Sequence, residues 1–457
     1  MKVRLSEMSA CFQGVIPSML ATCSASGEPN VTSLSHVYLV DDRHVALSCQ
    51  FFNKTRRNIA ENPHATVIVY DPLKFEGYKL GLKFVRSETS GPLFDTMSLR
   101  IDAIASHTGM AGVFKLISSD VFEVQTCRRI EGFLLPAEIA DTPPKTTVPG
   151  PLTELRGLQV VSQRIARAKD LDGLLASTLE ALDELLGFQH SMVLVNDDCT
   201  QRLVAIASRG YGPGSIGAEV AVGHGLIGKA AERRRMIKLT GLGTELRYGR
   251  AIRERHVECG ESERLAPEVP LAGLADAQAQ LALPLVCGER LVGVLAVESR
   301  DPLCFDDWDE AFLQIVASQI AMALDRMQEN DEEEPADEVA PAPAAAPQRV
   351  RNFVFYRNDD CVFVDGEYLV RNIPGKILWK LLSRRAIAGQ REFTNRELRL
   401  DPALGLPALK DNLESRLILL RKRLAEKCPE VRIVPVRRGR FALELDCAVE
   451  LSEKDCG

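Results

Sequence analysis

A multidomain α+β chain is the fold class that the sequence predicts, on three observations. At 457 residues the chain has room for about three domains at the usual ~100 to 200 residues each. Two stretches read as connectors: 141–151 is rich in proline with paired threonines, and 328–348 runs to acid, alanine and proline (NDEEEPADEVAPAPAAAPQ). The segments they separate differ in hydrophobic period. The first alternates like strands, the second mixes long helical stripes with short apolar strands, and the third ends on a basic helix followed by a basic hairpin. The expected domains are therefore 1–140, 152–327 and 349–457.

Composition is that of globular protein, with 46% hydrophobic and 26% charged residues, so each domain can bury its own core. The net charge of -7 hides an asymmetry. From Gln348 onward there are 22 Lys plus Arg against 16 Asp plus Glu, or +6, which leaves -13 on the rest. A basic module on an acidic body points to a local polyanion site. The 12 cysteines are scattered without a C-x-x-C pair or a histidine at zinc spacing, as expected of reduced thiols in a cytoplasmic protein without a structural metal. The N-terminus carries no apolar run of signal-peptide length, and no stretch of about 18 apolar residues predicts a membrane span.

In the first domain the candidate strands are Val31–Val40, His44–Gln50, His64–Asp71, Tyr78–Glu88 and Gly112–Val124, rich in β-branched and aromatic residues. Gly27 and Asp41-Asp42 supply turns. Two helices interrupt, Asn53–Glu61, stopped by Pro63, and Leu93–Ser106. Gly27-Glu28-Pro29-Asn30-Val31-Thr32-Ser33, then Phe52-Asn53-Lys54-Thr55-Arg56-Arg57-Asn58 and Asn62-Pro63, resemble the split β-barrel flavin-binding family that includes pyridoxamine 5'-phosphate oxidase. The resemblance implies flavin mononucleotide (FMN) as a possible cofactor, with Ser33 and Ser48 near the ring and Lys54, Thr55 and Arg57 near the phosphate. A helix N-terminus with free N–H groups and a nearby cation suits a dianion. The oxidase's C-terminal substrate-binding segment has no counterpart after Val124.

The second domain opens on helical periodicity from Leu155 to Leu186, with Gly187 as its stop. Short buried strands follow at Ser191–Val195 and Leu203–Ser208. Val222-Gly223-His224-Gly225-Leu226-Ile227-Gly228-Lys229, Leu291–Glu298 and Phe305-Asp306-Asp307-Trp308-Asp309 resemble a GAF domain, a central antiparallel sheet flanked by helices. Gly223, Gly225 and Gly228 do not follow a parallel strand in a βαβ unit, so they are not a dinucleotide fingerprint. The GAF resemblance implies a small-molecule effector, of unknown identity, under a variable loop. Its equivalent is Gly241–Gln280, expected to be a solvent-exposed lid in which His256 and Cys259 are incidental. The closing helix carries Phe312, Ile315, Val316, Gln319, Ile320, Ala323 and Met327 in a stripe broad enough to cover its own sheet and leave an edge for a partner helix, which predicts a homodimer.

In the third domain Leu413, Leu417, Leu420 and Leu424 recur at spacings of four, three and four, one apolar stripe on a helix. Arg432–Pro435 and Phe441–Leu445 read as strands joined through an arginine-rich turn. Leu420-Arg421-Lys422-Arg423-Leu424 and Val436-Arg437-Arg438-Gly439-Arg440-Phe441 resemble the recognition helix and wing of an OmpR/PhoB-type winged helix-turn-helix. Cys361–Gly366, Ile373–Leu378 with Pro374 in the first turn, and the capping-box start Thr394-Asn395-Arg396-Glu397 extend the likeness. It implies double-stranded DNA as partner, with Asn412, Arg416, Arg421, Arg423, Arg437, Arg438 and Arg440 as contacts. Where the family often reads bases with arginine this chain has Ile418 and Leu419, which favours phosphate contact over sequence reading. The function expected is a cytoplasmic one-component transcriptional regulator coupling a flavin, redox or small-ligand signal to DNA binding. The alternative is a flavin-dependent oxidoreductase with appended regulatory domains. No catalytic residue stands out.

Overall fold

In a computed structural model of the chain, the residues described are 4–50, 54–74, 76–130, 151–168, 170–198, 200–212, 214–329, 349–406, 413–437 and 439–454, without the side chains of 151–154, 328 and 329. The proline-rich connector, save Pro151, and nearly all of the acidic one lie outside them, as do Phe52, Asn53, Asn412 and Arg438.

The N-terminal segment contains β1 (Ser18–Cys23), β2 (Pro29–Leu34), β3 (Val37–Leu39), β4 (His44–Cys49), α1 (Lys54–Glu61), β5 (His64–Asp71), β6 (Glu76–Glu88), α2 (Pro92–His107) and β7 (Ser118–Ile130). They form one seven-stranded sheet in the order β2-β1-β5-β6-β7-β4-β3. Alternation on β5 sends Ala65, Val67 and Val69 inward, where they pack with Leu20, Val45, Leu47, Leu80, Leu82 and Phe122. The single strand expected over Val31–Val40 is two. β2 pairs with β1 and β3 with β4, and these pairs lie at opposite ends of the sheet order, so the chain must leave one edge and join the other. Strand β1 was not read from the sequence, and β7 starts later than the expected Gly112.

The middle segment contains α3 (Pro151–Arg167), α4 (Leu171–Leu186), β8 (His190–Asp197), β9 (Arg202–Arg209), β10 (Glu219–Ala221), α5 (Gly225–Arg233), β11 (Ile237–Thr240), α6 (Leu242–Glu258), β12 (Ala279–Cys287), β13 (Arg290–Ser299) and α7 (Asp307–Glu329). The sheet order is β10-β9-β8-β13-β12-β11. The helical run over Leu155–Leu186 divides into α3 and α4 because Asp170 caps α4, its carboxylate accepting from Gly173 N–H at 2.7 Å. Gly187 ends α4 at φ +72°. The expected lid is corrected: its first half is the 17-residue helix α6.

The C-terminal segment contains β14 (Val350–Tyr356), β15 (Cys361–Val364), β16 (Glu367–Val370), α8 (Asn372–Ala388), β17 (Glu392–Thr394), α9 (Asn395–Arg399), α10 (Leu413–Lys427), β18 (Val431–Arg437), β19 (Arg440–Leu445) and β20 (Ala448–Lys454). One sheet runs β16-β15-β14-β20, with β20 parallel to β14, and the other β17-β19-β18. The Thr394/Glu397 capping box forms as expected and starts α9. Leu413, Leu417, Leu420 and Leu424 all face the core with Phe393 and Phe441.

By contact the chain divides into two compact units. Met1–Gly157, Val222–Leu283 and Ala296–Leu313 make the first; Leu158–Ala221, Pro284–Leu295 and Gln314–Gly457 make the second. In the first, α2 is tied to α5 and α6. Arg100 pairs with Glu245 at 3.1 Å, both side chains under a tenth exposed. Ser106 Oγ accepts from Gly225 N–H at 2.7 Å and His107 Nε2 from Leu226 N–H at 2.9 Å, satisfying two first-turn donors of α5. Gly225, at φ +61°, is required there, since a Cβ would lie 2.8 Å from the His107 ring.

Candidate ligand cleft and candidate nucleic-acid face

Within the first unit a cleft of about 640 Å³ opens between the barrel and α6. Its floor is Leu20, Leu47, Ile59 and Phe122. These are inward positions of β1, β4, α1 and β7, so the core packing also sets the cleft's depth. Ser33, Ser48 and Gln50 line it. Thr55 and Arg56, in the first turn of α1, line it as well. Thr55 Oγ1 accepts from Asn30 Nδ2 at 2.9 Å, and Asn58 Nδ2 donates to Thr22 Oγ1 at 3.2 Å, fixing α1 against β1 and β2.

Two of the expected phosphate residues are not among the lining. Lys54 Nζ meets Glu28 at 2.5 Å, and that partner holds the Glu28 carboxyl below its ordinary range. Arg57 is exposed outside the lining, and Arg56 is there instead. Helical phase explains this. Thr55, Arg56 and Ile59 share a sector, whereas Arg57 lies about 200° from Thr55.

The sequence marks His256 and Cys259 only as incidental residues of a lid, yet both lie in the opposite wall. Tyr248, Ala251, Ile252, Arg255, His256 and Cys259 line the cleft from α6 and its C-cap. Their spacing of i, i+3, i+4, i+7, i+8 and i+11 is one helical face, and that period was the available signal. His256 Nδ1 is 2.8 Å from Glu261. Burial raises the Cys49 thiol to about 11 and also raises the Tyr248 phenol, so both stay protonated at neutral pH. Among the described residues no group of three His, Cys, Asp or Glu is placed to hold a metal ion.

In the second unit α10 turns its other face onto the strands of the middle segment. Ile418 and Leu419 are 1% and 7% exposed, and Leu419 lies against Gly217, where a Cβ would be 3.3 Å from its methyl. Arg416 Nη2 is 3.3 Å from Asp197. Lys422 Nζ reaches Asp172 at 2.8 Å and donates to the Ile206 carbonyl at 3.0 Å. Three more of the expected DNA contacts are engaged within the protein: Arg421 with Glu414 at 3.2 Å, Arg423 with the Leu369 carbonyl at 3.1 Å, and Arg440 with Glu392 at 3.2 Å. Arg437, on β18, is half-buried. The apolar pair that departs from the DNA-reading pattern is thus a packing surface in this conformation.

Two family models match. The pyridoxamine 5'-phosphate oxidase model matches residues 5–120 and a GAF domain model matches residues 168–325. Residues 168–325 are a GAF domain. The segment before it is a pyridoxamine 5'-phosphate oxidase-like domain. No curated protein matches the chain. Among solved structures, the GAF domain of an Acinetobacter phosphoenolpyruvate-protein phosphotransferase is 19% identical over 39% of this chain and 95% of its own, with a TM-score of 0.32. Free methionine-R-sulfoxide reductase from Neisseria meningitidis is 19% identical over 37% and 87%, TM-score 0.30. An FMN-binding protein from Syntrophomonas wolfei subsp. wolfei is 18% identical over 29% and 84%, TM-score 0.23. Helix α6 thus belongs to the GAF domain and faces the oxidase-like one.

The cleft's residues fit FMN. Its volume lies within the ~300 to 1,000 Å³ usual for ligand pockets. Its floor is apolar, and hydroxyls, an amide, guanidinium groups and the carboxylates of Asp120 and Glu261 surround it. Thr55 and Arg56 combine a cation with the N-terminus of α1, the chemistry a phosphate requires.

Proposed function

We propose that this protein is a cytoplasmic sensory regulator that holds FMN in the cleft of its oxidase-like domain. The carrying observation is the cleft, with an apolar floor and a cationic helix N-terminus in its lining. FMN when bound supplies one- and two-electron redox chemistry. Ser33, Ser48 and Gln50 would donate to the ring's edge, while Thr55 and Arg56 would hold the phosphate. A yellow protein as isolated, or saturable binding of added FMN, is the expected result; a colourless protein that leaves FMN fluorescence unchanged removes this reading.

The C-terminal segment would be the output head. Helices α8, α9 and α10 followed by the β18–β19 hairpin have the order of a winged helix-turn-helix, which supports DNA as partner. In the conformation described, α10 is covered, so DNA binding would require its release. Burial of Ile418 and Leu419 contributes about 1.5–3 kcal/mol each to the covered state. A salt-dependent gel shift that appears only when α10 is released would support this reading. No shift at low ionic strength, with α10 released and the domain folded, would remove it. No described helix is long and apolar enough to cross a membrane. Homodimerisation belongs to the same proposal. Ile315 and Met322, seven residues apart on α7, stay 44% and 57% exposed. A monomer by light scattering at micromolar concentration would exclude it.

A further inference from the structure

The cleft has two walls, and they come from different domains. The oxidase-like domain supplies the floor and the first turn of α1, and the GAF domain supplies the face of α6 that carries Tyr248, Ala251, Ile252 and Arg255. Three observations show that α6 is built into this position. Arg253 Nη1 donates to the carbonyls of Thr108, Gly109 and Ala266 at 3.1, 2.8 and 2.8 Å, stitching the helix to the end of α2. The Arg100–Glu245 pair is buried at the helix's other end. Between them Gly249 lets the backbones approach: a Cβ there would lie 2.7 Å from Thr108 Cγ2, and Thr108 is fully buried.

We propose that α6 of the GAF domain completes the flavin cleft in cis, with Tyr248 against the ring and Arg255 as a second cation, so that the GAF domain responds directly to occupancy. The two helix ends divide the occupant between them. The first turn of α1 offers N–H groups and Arg56 to a phosphate, whereas the last turn of α6 ends on carbonyls that disfavour a dianion. The phosphate is therefore assigned to α1 and the flat, less charged ring to α6. Tyr248, its ring 6.5 Å from that of Phe114, presents an aromatic surface there. Arg255, exposed and in the lining, would meet what remains of the ligand.

This inference rests on the cleft being a flavin site, and its test separates the two. FMN is titrated into the full chain by fluorescence, with wild type compared with Y248L, R255A, R255K, G249A and R56A. Hydrogen exchange of residues 242–258 is measured with and without FMN. Y248L is expected to bind FMN with reduced quenching of its emission. R255A is expected to weaken binding about tenfold, the size of a charge-assisted contact, with R255K partly restoring it. G249A, whose added methyl would meet Thr108, should weaken binding by displacing the helix, and FMN should slow exchange in α6. If the wild type binds no FMN, the flavin reading itself fails. If the wild type binds and R56A weakens it, while Y248L, R255A and G249A leave affinity, quenching and exchange unchanged, the flavin reading stands and the role of α6 is overturned.

Discussion

Replacing Glu245 by alanine tests how firmly α6 is attached, because its partner Arg100 sits where water cannot take over. The side chains are 9% and 5% exposed for Arg100 and Glu245, and the pair is 3.1 Å apart. Removing one partner of a buried pair costs about 3–5 kcal/mol, against about 0–1 kcal/mol for an exposed one. Arg100 also donates to the Thr240 carbonyl at 3.3 Å, which keeps one acceptor and places the expected cost near about 3 kcal/mol. The chain's two tryptophans make this measurable, since Trp308 lies in the first unit and Trp379 in the second. In a W379F background Trp308 emission reports the first unit alone. At a urea slope of about 2 kcal/mol per molar, E245A should lower the midpoint by about 1.5 M. The double replacement R100M/E245L should recover most of that loss, because an apolar pair of similar volume avoids desolvating two charges. A shift under about 0.5 M for E245A, or a double variant as weak as the single, would refute the claim that this pair anchors the helix.

Four further expectations follow from particular contacts. L419D would bury a carboxylate against Gly217 and should release the outer face of α10; Ile418 should then become reactive in hydroxyl-radical footprinting, and an unchanged footprint would show the contact to be dispensable. L420A in the α10 core stripe should cost about 2–5 kcal/mol, read from Trp379 emission in a W308F background. Removing the Thr394 cap with T394A should cost about 0.5–2 kcal/mol by the same probe. His107 sets a pH dependence: its Nδ1 is 2.8 Å from the Val269 carbonyl and its Nε2 accepts from Leu226 N–H, so only the neutral ring satisfies both. Burial holds its pKa below 6.5 despite the Val269 bond, with Arg250 adding to the depression, so between the lowered value and about 6.5 the unfolded chain binds the extra proton. Stability of the first unit should be full above pH ~6.5 and fall as pH drops through that window, with buried His36 acting in the same sense. H107N should flatten the dependence, and an unaltered profile would exclude His107 as its source.

Much of the fold was legible because it follows from local rules. The strand of β5 alternates, Asp170 and Gly187 bracket α4, Thr394 and Glu397 form their capping box, and the leucines of α10 sit at helical spacing and turn inward. Each depends on residues a few positions apart, so period and cap chemistry suffice. Ser33 and Ser48 came from the family resemblance and not from local rules, and the structure places both along the cleft. The choice between Arg56 and Arg57 was not legible, because it turns on the rotational phase of α1, which the packing of Asn58 and Ile59 sets.

By itself the sequence determined the helices and strands that bury apolar stripes, and the likenesses of the first two segments that the family models over 5–120 and 168–325 match. Tertiary structure alone decided what faces what. It placed α6, read as part of a polar lid, as the second wall of the cleft, and it turned Ile418, Leu419 and Arg416 toward the GAF strands instead of solvent. The physical reason is that an amphipathic pattern records how much surface a segment must bury but not which distant surface will cover it. That partner is selected by long-range shape and charge, here by the absence of a side chain at Gly249 and Gly217 and by carboxylates at Glu245 and Asp197.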